Sequence, residues 1–308
     1  MKFKILGSGA GIPSKSRNTQ SYILDVVEEL NQYFLIDASE ALQHRIMSTT
    51  IRPAKIKHIF ITHLHGDHIF GLPGFLSSRA HQGGEGVPLY IYAPAGLKEW
   101  VELTLRTSAS HLNYPIHYIE VAHNMEFDAD GFKVKSYLLD HAIESYLYVF
   151  IEPDKPGALK DEQLKRLGIQ PGPFYKEIKQ SDTFEFDGQI YNTSEFMNPP
   201  TEGRKVAVHG DTRVIQHPDY LDLVDGSDLI VHEATYLDGE GEKAHLYYHS
   251  EMSEVQKNFS SISYGKLIFS HISNRYDQEQ INSISSTLPE NMLLAYDFME
   301  ITIPRDSQ

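Results

Sequence analysis

Thr62-His63-Leu64-His65-Gly66-Asp67-His68 places four metal-capable side chains within six residues, in an H-x-H-x-D-H pattern. The largely apolar run before it, residues 56–61, reads as a buried strand. Gly66 permits a sharp turn between ligands. A strand ending in such a turn aims His63 and His65 at one point and presents Asp67 and His68 to a neighbouring one. Imidazole and carboxylate together suit a borderline ion such as zinc. Two adjacent ligand pairs point to two metals, an arrangement that activates water against phosphates and carbonyls. Packing does not explain the stretch, because burying these groups without an ion leaves costly unpaired polar atoms.

The same pattern recurs downstream. Residues 132–137 alternate like a strand, and His141 follows. Strand-like runs at 205–208, 228–231 and 266–269 precede Gly210-Asp211, His232-Glu233 and His271. Singly, each of these residues reads as a capping or surface side chain. In α/β sheets, however, the working crevice lies beyond the carboxyl ends of the strands, so ligands distant in sequence meet along one edge. Further strands are expected at 2–6, 21–27, 33–36 and 89–92, helices at 39–47 and 97–108, and a helix entry followed by a helix over 69–79. The segment 114–127 reads as mixed strand and turn. Asp37 ends a strand, where it either orients a ligand histidine or caps the next helix. Gly7-Ser8-Gly9-Ala10-Gly11 does not match G-x-G-x-x-G and no clear helix follows, so a dinucleotide cradle is weakly supported.

The 308 residues fit one large α/β domain or two smaller ones, and 41% hydrophobic content supplies a sizeable core. No cysteine is present, which removes disulfides and thiolate metal sites and agrees with a reducing cytosol. The start of the chain carries no long apolar segment of the signal-peptide kind, and no run is long enough to span a membrane. A soluble, cytoplasmic protein is expected. The net charge of −15 argues against a general nucleic-acid coat. Local charge is uneven: residues 219–242 hold eight acidic side chains and no Lys or Arg, whereas residues 155–180 hold six Lys/Arg against three Asp/Glu. Residues 152–185, rich in Pro, Gly and Lys, read as a flexible arm inserted into a single domain spanning 1–308. A plain surface loop or a dimer contact accounts for the arm structurally. Its basic and aromatic residues also suit nucleic-acid phosphate and bases.

These residues resemble the metallo-β-lactamase superfamily and, more narrowly, the tRNase Z (ribonuclease Z) family. The broad likeness lies in His63-x-His65-x-Asp67-His68 with His141, Asp211 and His271. The narrow likeness lies in Pro13-Ser14-Lys15-Ser16-Arg17-Asn18, in Gly71-Leu72-Pro73-Gly74, and in Gly210-Asp211-Thr212-Arg213. It extends to His232-Glu233-Ala234-Thr235, to His271-Ile272-Ser273-Asn274-Arg275-Tyr276, and to Gly172-Pro173 within the arm. His249-Ser250-Glu251 departs from the family, which usually has Thr after His-Ser.

The resemblance implies an αβ/βα four-layer metallo-β-lactamase sandwich with an inserted exosite arm. It implies a zinc-dependent endoribonuclease that removes the 3′ trailer from precursor tRNA, cutting after the discriminator nucleotide. Two zinc ions per subunit are implied: one on His63, His65 and His141, a second on Asp67, His68 and His271, with Asp211 bridging. Asp67 is then the base or positioner of the attacking water, and His249 the acid for the leaving oxygen, oriented by Glu233 or Glu251. Lys15, Arg17, Ser273, Arg275, Gly172 and Pro173 are the substrate-binding candidates. Family members commonly act as homodimers in which the arm of one subunit holds tRNA over the other's site; no membrane and no DNA are expected as partners. Two rivals keep part of this reading: a hydrolase of small phosphodiesters with the same site, and an RNA-binding scaffold with a dead one. The scaffold fits poorly with seven intact ligands, and a β-lactamase fits poorly with a chain lacking a secretion signal.

Overall fold

The computed structural model describes residues 1–305; residues 306–308 of the expected domain lie outside them. Two compact units emerge: Met1–Ile151 with Lys205–Pro304, and Glu152–Arg204 with Arg305.

The larger unit holds two seven-stranded sheets. The first is built from β1 (Lys2–Gly7), β2 (Ser21–Val26), β3 (Gln32–Ile36), β4 (Ile56–Phe60), β5 (Leu89–Ala93) and β6 (Ile116–Glu120), with the last strand of the chain alongside β1. The strands β3 to β6 run parallel, and β1 to β3 are antiparallel. The second sheet begins with β7 (Glu126–Ala129), β8 (Phe132–Leu138) and β9 (Tyr146–Ile151). In the smaller unit, β10 (Thr183–Phe186) and β11 (Gln189–Asn192) form a hairpin. The second sheet resumes with β12 (Lys205–His209), β13 (Ser227–Glu233), β14 (Tyr264–Ser270) and β15 (Met292–Leu294), before β16 (Glu300–Thr302) returns to the first. β12 to β15 are parallel; β9 is antiparallel to β12.

One face of each sheet packs on the other. Phe34 meets Phe132 at 5.5 Å between ring centroids, and Phe60 meets Phe150 at 4.9 Å, both edge to face. Each such buried ring contributes on the order of 1.5–3 kcal/mol through burial alone. The outer face of the first sheet is covered by helices at Leu42–Met47, Leu72–His81 and Leu97–Thr107. The outer face of the second is covered by helices at Pro218–Val224, Met252–Phe259 and Gln278–Ser285. Helix, sheet, sheet, helix is the four-layer αβ/βα arrangement. Among the described residues, no helix is long and apolar enough to cross a membrane.

The helix entry and helix expected over 69–79 are separate elements, Gly66–Ile69 and Leu72–His81. Gly71 is the reason: its N–H donates to the Ala38 carbonyl at 2.9 Å, and a Cβ there would fall 1.8 Å from the Ser39 carbonyl oxygen. The helix expected from residue 39 starts at Leu42, because the Ser39 amide and hydroxyl are engaged by Ser21 and Thr19.

The smaller unit has its own core of Leu164, Ile169, Ile178, Phe184 and Phe196. Helices at Asp161–Arg166 and Pro173–Gln180 pack with the β10–β11 hairpin. Pro173 sits at the first position of its helix, where a missing N–H costs nothing. Asp187-Gly188 turns the hairpin with φ of 51° and 74°, the backbone that a two-residue turn of this hand requires. Prolines and glycines here delimit short elements, and the compact unit runs to Arg204, past the expected boundary at 185.

Candidate active site

The strand ends of both sheets converge. The Thr62 amide, just past β4, donates to Asp37 Oδ1 at 2.7 Å, and its carbonyl accepts from the Tyr146 amide of β9 at 2.9 Å. The Tyr146 carbonyl in turn accepts from Gly210 N, just past β12, at 3.1 Å. A Cβ at Gly210 would lie 2.5 Å from Ser145 Oγ and 2.7 Å from Thr62 Cβ, so only glycine lets Asp211 approach the His63–His68 loop. Ile272, past β14, exchanges backbone bonds with Ser8 and Ala10, which ties the glycine-rich first loop to the same edge.

His63, His65, His141 and Asp211 form one cluster of potential ligand atoms, Asp67, His68 and His271 a second, and Asp211, His249 and His271 a third. Side-chain partners fix which ring nitrogen faces inward. His68 Nδ1 donates to Asp37 Oδ2 at 2.8 Å. The single hydroxyl hydrogen of Thr62 goes to Asp37, so Thr62 Oγ1 accepts from His63 Nδ1 at 3.1 Å. His141 Nδ1 donates to the Tyr248 carbonyl at 2.8 Å. In each case Nε2 is left with its lone pair turned into the cluster.

A metal fits these residues. His63 Nε2 and His141 Nε2 lie 3.1 and 3.2 Å from His65 Nδ1, so three ring nitrogens converge and a hydrogen on His65 Nδ1 serves only one of the other two. His68 Nε2 and Asp211 Oδ1 are buried and lack a hydrogen-bond partner among the described residues, 3.6 Å apart. Ligand atoms bound at about 2.0–2.1 Å with tetrahedral angles stand roughly 3.4 Å apart, which matches these spacings. The electrostatics agree. Burial and the neighbouring imidazoles push His63 well below its ordinary value. Burial also opposes charge on His68, but the Asp67, Asp211 and Asp37 carboxylates hold it well above. Burial would likewise raise Asp67, yet His68 and His271 hold it well below the carboxylate range. The carboxylates therefore demand positive charge inside the cluster. A proton on His68 supplies one, but it leaves the three facing nitrogens of His63, His65 and His141 unreconciled; a cation resolves both.

His249 stands at the rim. Its Nδ1 donates to Glu233 Oε1 at 2.9 Å, and Glu233 is buried at the end of β13, where it also accepts from the Thr212, Ser250 and Thr235 amides. Burial opposes both charges, but the pairing prevails: Glu233 is held down to about 2 and His249 is raised to about 9. Glu251, the other candidate partner, is engaged by the Gly239 amide. Thr235 Oγ1 meets His271 Nδ1 at 2.8 Å. The cleft over the cluster, about 400 Å³, is lined in part by Gly11, Tyr236, Tyr247 and Ser273. Gly11 N donates to Asp67 Oδ2 at 2.9 Å, so the glycine-rich loop does serve the site, although not as a dinucleotide cradle. Thr235 was quoted only as part of its motif, and Tyr236 and Tyr247 were not singled out; their closeness to Glu233 and His249 was the available signal.

The family model for Anti-Pycsar protein Apyc1 matches residues 1–154. The chain is 43% identical over 291 residues to ribonuclease Z of Staphylococcus aureus, spanning 94% of each protein. The chain belongs to the ribonuclease Z family. Among solved structures, human tRNase Z, short form, aligns over 99% of this chain and 100% of its own at 25% identity, with a TM-score of 0.71. The metallo-β-lactamase fold protein YhfI from Bacillus subtilis aligns over 97% and 98% at 14% identity, with a TM-score of 0.66, a likeness of fold. The fold is thus the metallo-β-lactamase fold, and the chain is an enzyme of the ribonuclease Z class, a nuclease and hydrolase.

The remaining candidates divide by exposure in this ribonuclease Z family chain. Lys15 is exposed on its loop. Arg17 is only 8% exposed, and its Nη1 donates to Ser8 Oγ and to the Ala295 carbonyl, so that end of the guanidinium holds the loop from inside. Ser273 lines the cleft. Arg275 donates to Glu240 at 2.7 Å and lies over the Tyr236 ring at 4.8 Å. Gly172 and Pro173 open the second helix of the smaller unit.

Proposed function

We propose that this chain removes the 3′ trailer from precursor tRNA, cutting after the discriminator nucleotide to leave a 3′-hydroxyl on the tRNA and a 5′-phosphate on the trailer. The observation that carries the chemistry is His249, paired with Glu233 at 2.9 Å on the rim of the His/Asp cluster. The kinship with ribonuclease Z supports the substrate. His63, His65 and His141 would hold one zinc ion, Asp67, His68 and His271 a second, and Asp211 both, giving two per subunit. Zinc there supplies Lewis-acid charge and lowers the pKa of a water from about 15.7 toward roughly 7.

The protein's own groups do the rest. Asp67, held low, accepts from the attacking water and aims it at phosphorus. His249 Nε2 gives its proton to the leaving 3′-oxygen, while Glu233 keeps the ring oriented and protonated. Lys15 and Ser273 meet phosphate oxygens, and Arg275 joins them if it releases Glu240. The unit around Gly172-Pro173, with Lys and Arg side chains at 155–180, grips the body of the tRNA. The acidic remainder repels unstructured RNA, so a compact folded substrate is favoured. A cytoplasmic homodimer that takes neither membrane nor DNA completes the reading.

A second reading, hydrolysis of a small phosphodiester, draws on the open cleft of about 400 Å³, which admits a ligand of nucleotide size unaided. The deciding experiment is cleavage of a trailer-bearing precursor tRNA by zinc-loaded wild type and Asp67→Ala. One cut after the discriminator, lost in the variant, supports the proposal. No cut by a zinc-loaded protein that still hydrolyses bis(p-nitrophenyl) phosphate moves the assignment to the small substrate.

A further inference from the structure

Two cavities meet at His249. One is the cleft over the His/Asp cluster. The other, about 490 Å³, lies against His249 and is walled by Arg213 and Gln216 after β12 and by Glu254, Lys257 and Asn258 of the helix Met252–Phe259. Its volume suits a ligand of nucleotide size. Its chemistry is mixed in a particular way. Lys257 forms no ion pair among the described residues, so an ammonium is left for an anion. Arg213 is stacked over the Tyr248 ring at 3.9 Å, which holds the guanidinium plane in place. Asn258 spends its Nδ2 on the Ile215 carbonyl at 2.9 Å, which leaves Oδ1 as an acceptor beside the Glu254 carboxylate.

We infer that this second cavity is a nucleotide subsite: it takes the nucleoside that carries the leaving 3′-oxygen, together with that nucleoside's own 5′-phosphate. The inference rests on the proposed function. In that reaction His249 delivers a proton to the leaving oxygen, so the nucleoside bearing it lies within hydrogen-bond reach of His249. Attacking and leaving oxygens stand in line across phosphorus, which places that nucleoside on the side away from Asp67. His249 lines both cavities, and Asp67 lines only the cleft, so the second cavity adjoins the group that serves the leaving oxygen. Lys257 meets the 5′-phosphate, Asn258 Oδ1 and Glu254 accept from ribose hydroxyls, and the Arg213 plane and the Gln216 amide face the base.

The test uses uridine 5′-monophosphate, which ends in the 3′-hydroxyl of the product, and the full zinc-loaded chain. Binding is measured by equilibrium dialysis for wild type, Lys257→Glu, Gln216→Trp and the remote control Lys98→Glu. Saturable binding is expected, weakened at least tenfold by Lys257→Glu and by the cavity-filling Gln216→Trp and unchanged by Lys98→Glu. A precursor tRNA made abasic at the discriminator completes the cycle. Wild type should lose about 10- to 100-fold in kcat/KM on it, and either cavity variant should lose under about threefold more than it already has on the intact substrate. Unchanged nucleotide binding in both variants, or losses that multiply in the cleavage cycle, overturn the subsite. Retained nucleotide binding that responds to Lys257→Glu, in a wild type that does not cut precursor tRNA, supports the subsite and overturns the proposed function, so the two failures are distinct.

Discussion

His141 donates from Nδ1 to the carbonyl of Tyr248 at 2.8 Å, and Tyr248 is the residue that precedes His249. One backbone carbonyl therefore orients a potential metal ligand while its own residue sets the place of the proposed acid. Tyr248 has φ of 62°, a left-handed backbone that is costly for a bulky residue, and the Arg213 guanidinium lies over its ring at 3.9 Å. Tyr248→Ala removes that clamp while keeping a Cβ. We expect zinc to be lost to a chelator about tenfold more readily, with kcat falling more than KM rises. Zinc release followed by a metallochromic dye is the check; release at the wild-type rate would sink the idea.

Asp37 is fully buried and accepts from His68 Nδ1, Thr62 N, Thr62 Oγ1 and Gln20 Nε2. Asp37→Asn turns an amide donor toward groups that need an acceptor. Metal affinity should drop about 10- to 100-fold, and the metal-free protein should lose about 2 kcal/mol or more. Isothermal titration with zinc and urea unfolding of the apo protein read these separately; an apo protein of undiminished stability would argue against the network.

Glu233→Gln leaves His249 without its buried carboxylate. Protonation of His249 then loses the partner that raises it to about 9, and kcat should fall roughly 10²- to 10⁴-fold while bound zinc stays stoichiometric. Metal content by mass spectrometry beside single-turnover cleavage is the measurement. Loss of zinc together with activity would recast Glu233 as a support of the metal cluster alone.

Glu152 is buried and bound by Arg204 through Nε at 2.8 Å and Nη2 at 3.0 Å, and by Arg305. Burial opposes its charge, but the two guanidinium groups hold its folded value down to about 2, against 4.5 ordinarily. A depressed carboxylate stabilises the fold above its unfolded value and loses that contribution as pH falls toward the folded one. On the order of 2–3 kcal/mol should thus be present above pH 4.5 and disappear between pH 4.5 and 2. Hydrogen exchange across residues 152–204 should show the loss in wild type, and Glu152→Gln should be weak and nearly flat over the same range.

Ile151 and Lys205 are direct cross-strand partners at the ends of β9 and β12. Joining them through an Asn-Gly turn in place of residues 152–204 suits a two-residue hairpin. The shortened protein should fold, bind zinc and hydrolyse bis(p-nitrophenyl) phosphate within about threefold of wild type, yet lose at least 100-fold on precursor tRNA. Equal losses on both substrates would remove the distinction between chemistry and tRNA grip.

The metal-capable residues were legible because they follow the ends of apolar strands, and strand periodicity survives in the sequence. The helix break at Gly71 was not, since the close approach of Ser39 is invisible to periodicity. Arg17 reads as a cation in a loop, and only the structure shows that its Nη1 is turned inward to Ser8 and Ala295. The choice between Glu233 and Glu251 as partner of His249 could not be read from spacing either, because both are near it in sequence.

The sequence by itself determined the α/β class, the positions of the cluster residues and the family, since these depend on local pattern and on motif spacing. The tertiary structure alone decided which nitrogen of each histidine faces the cluster, which carboxylate orients His249, and that a second cavity opens beside it. Those properties depend on partners tens to hundreds of residues away, such as Asp37 for His68 and Tyr248 for His141. Chain pattern carries no record of such distances until the two sheets pack and bring the strand ends together.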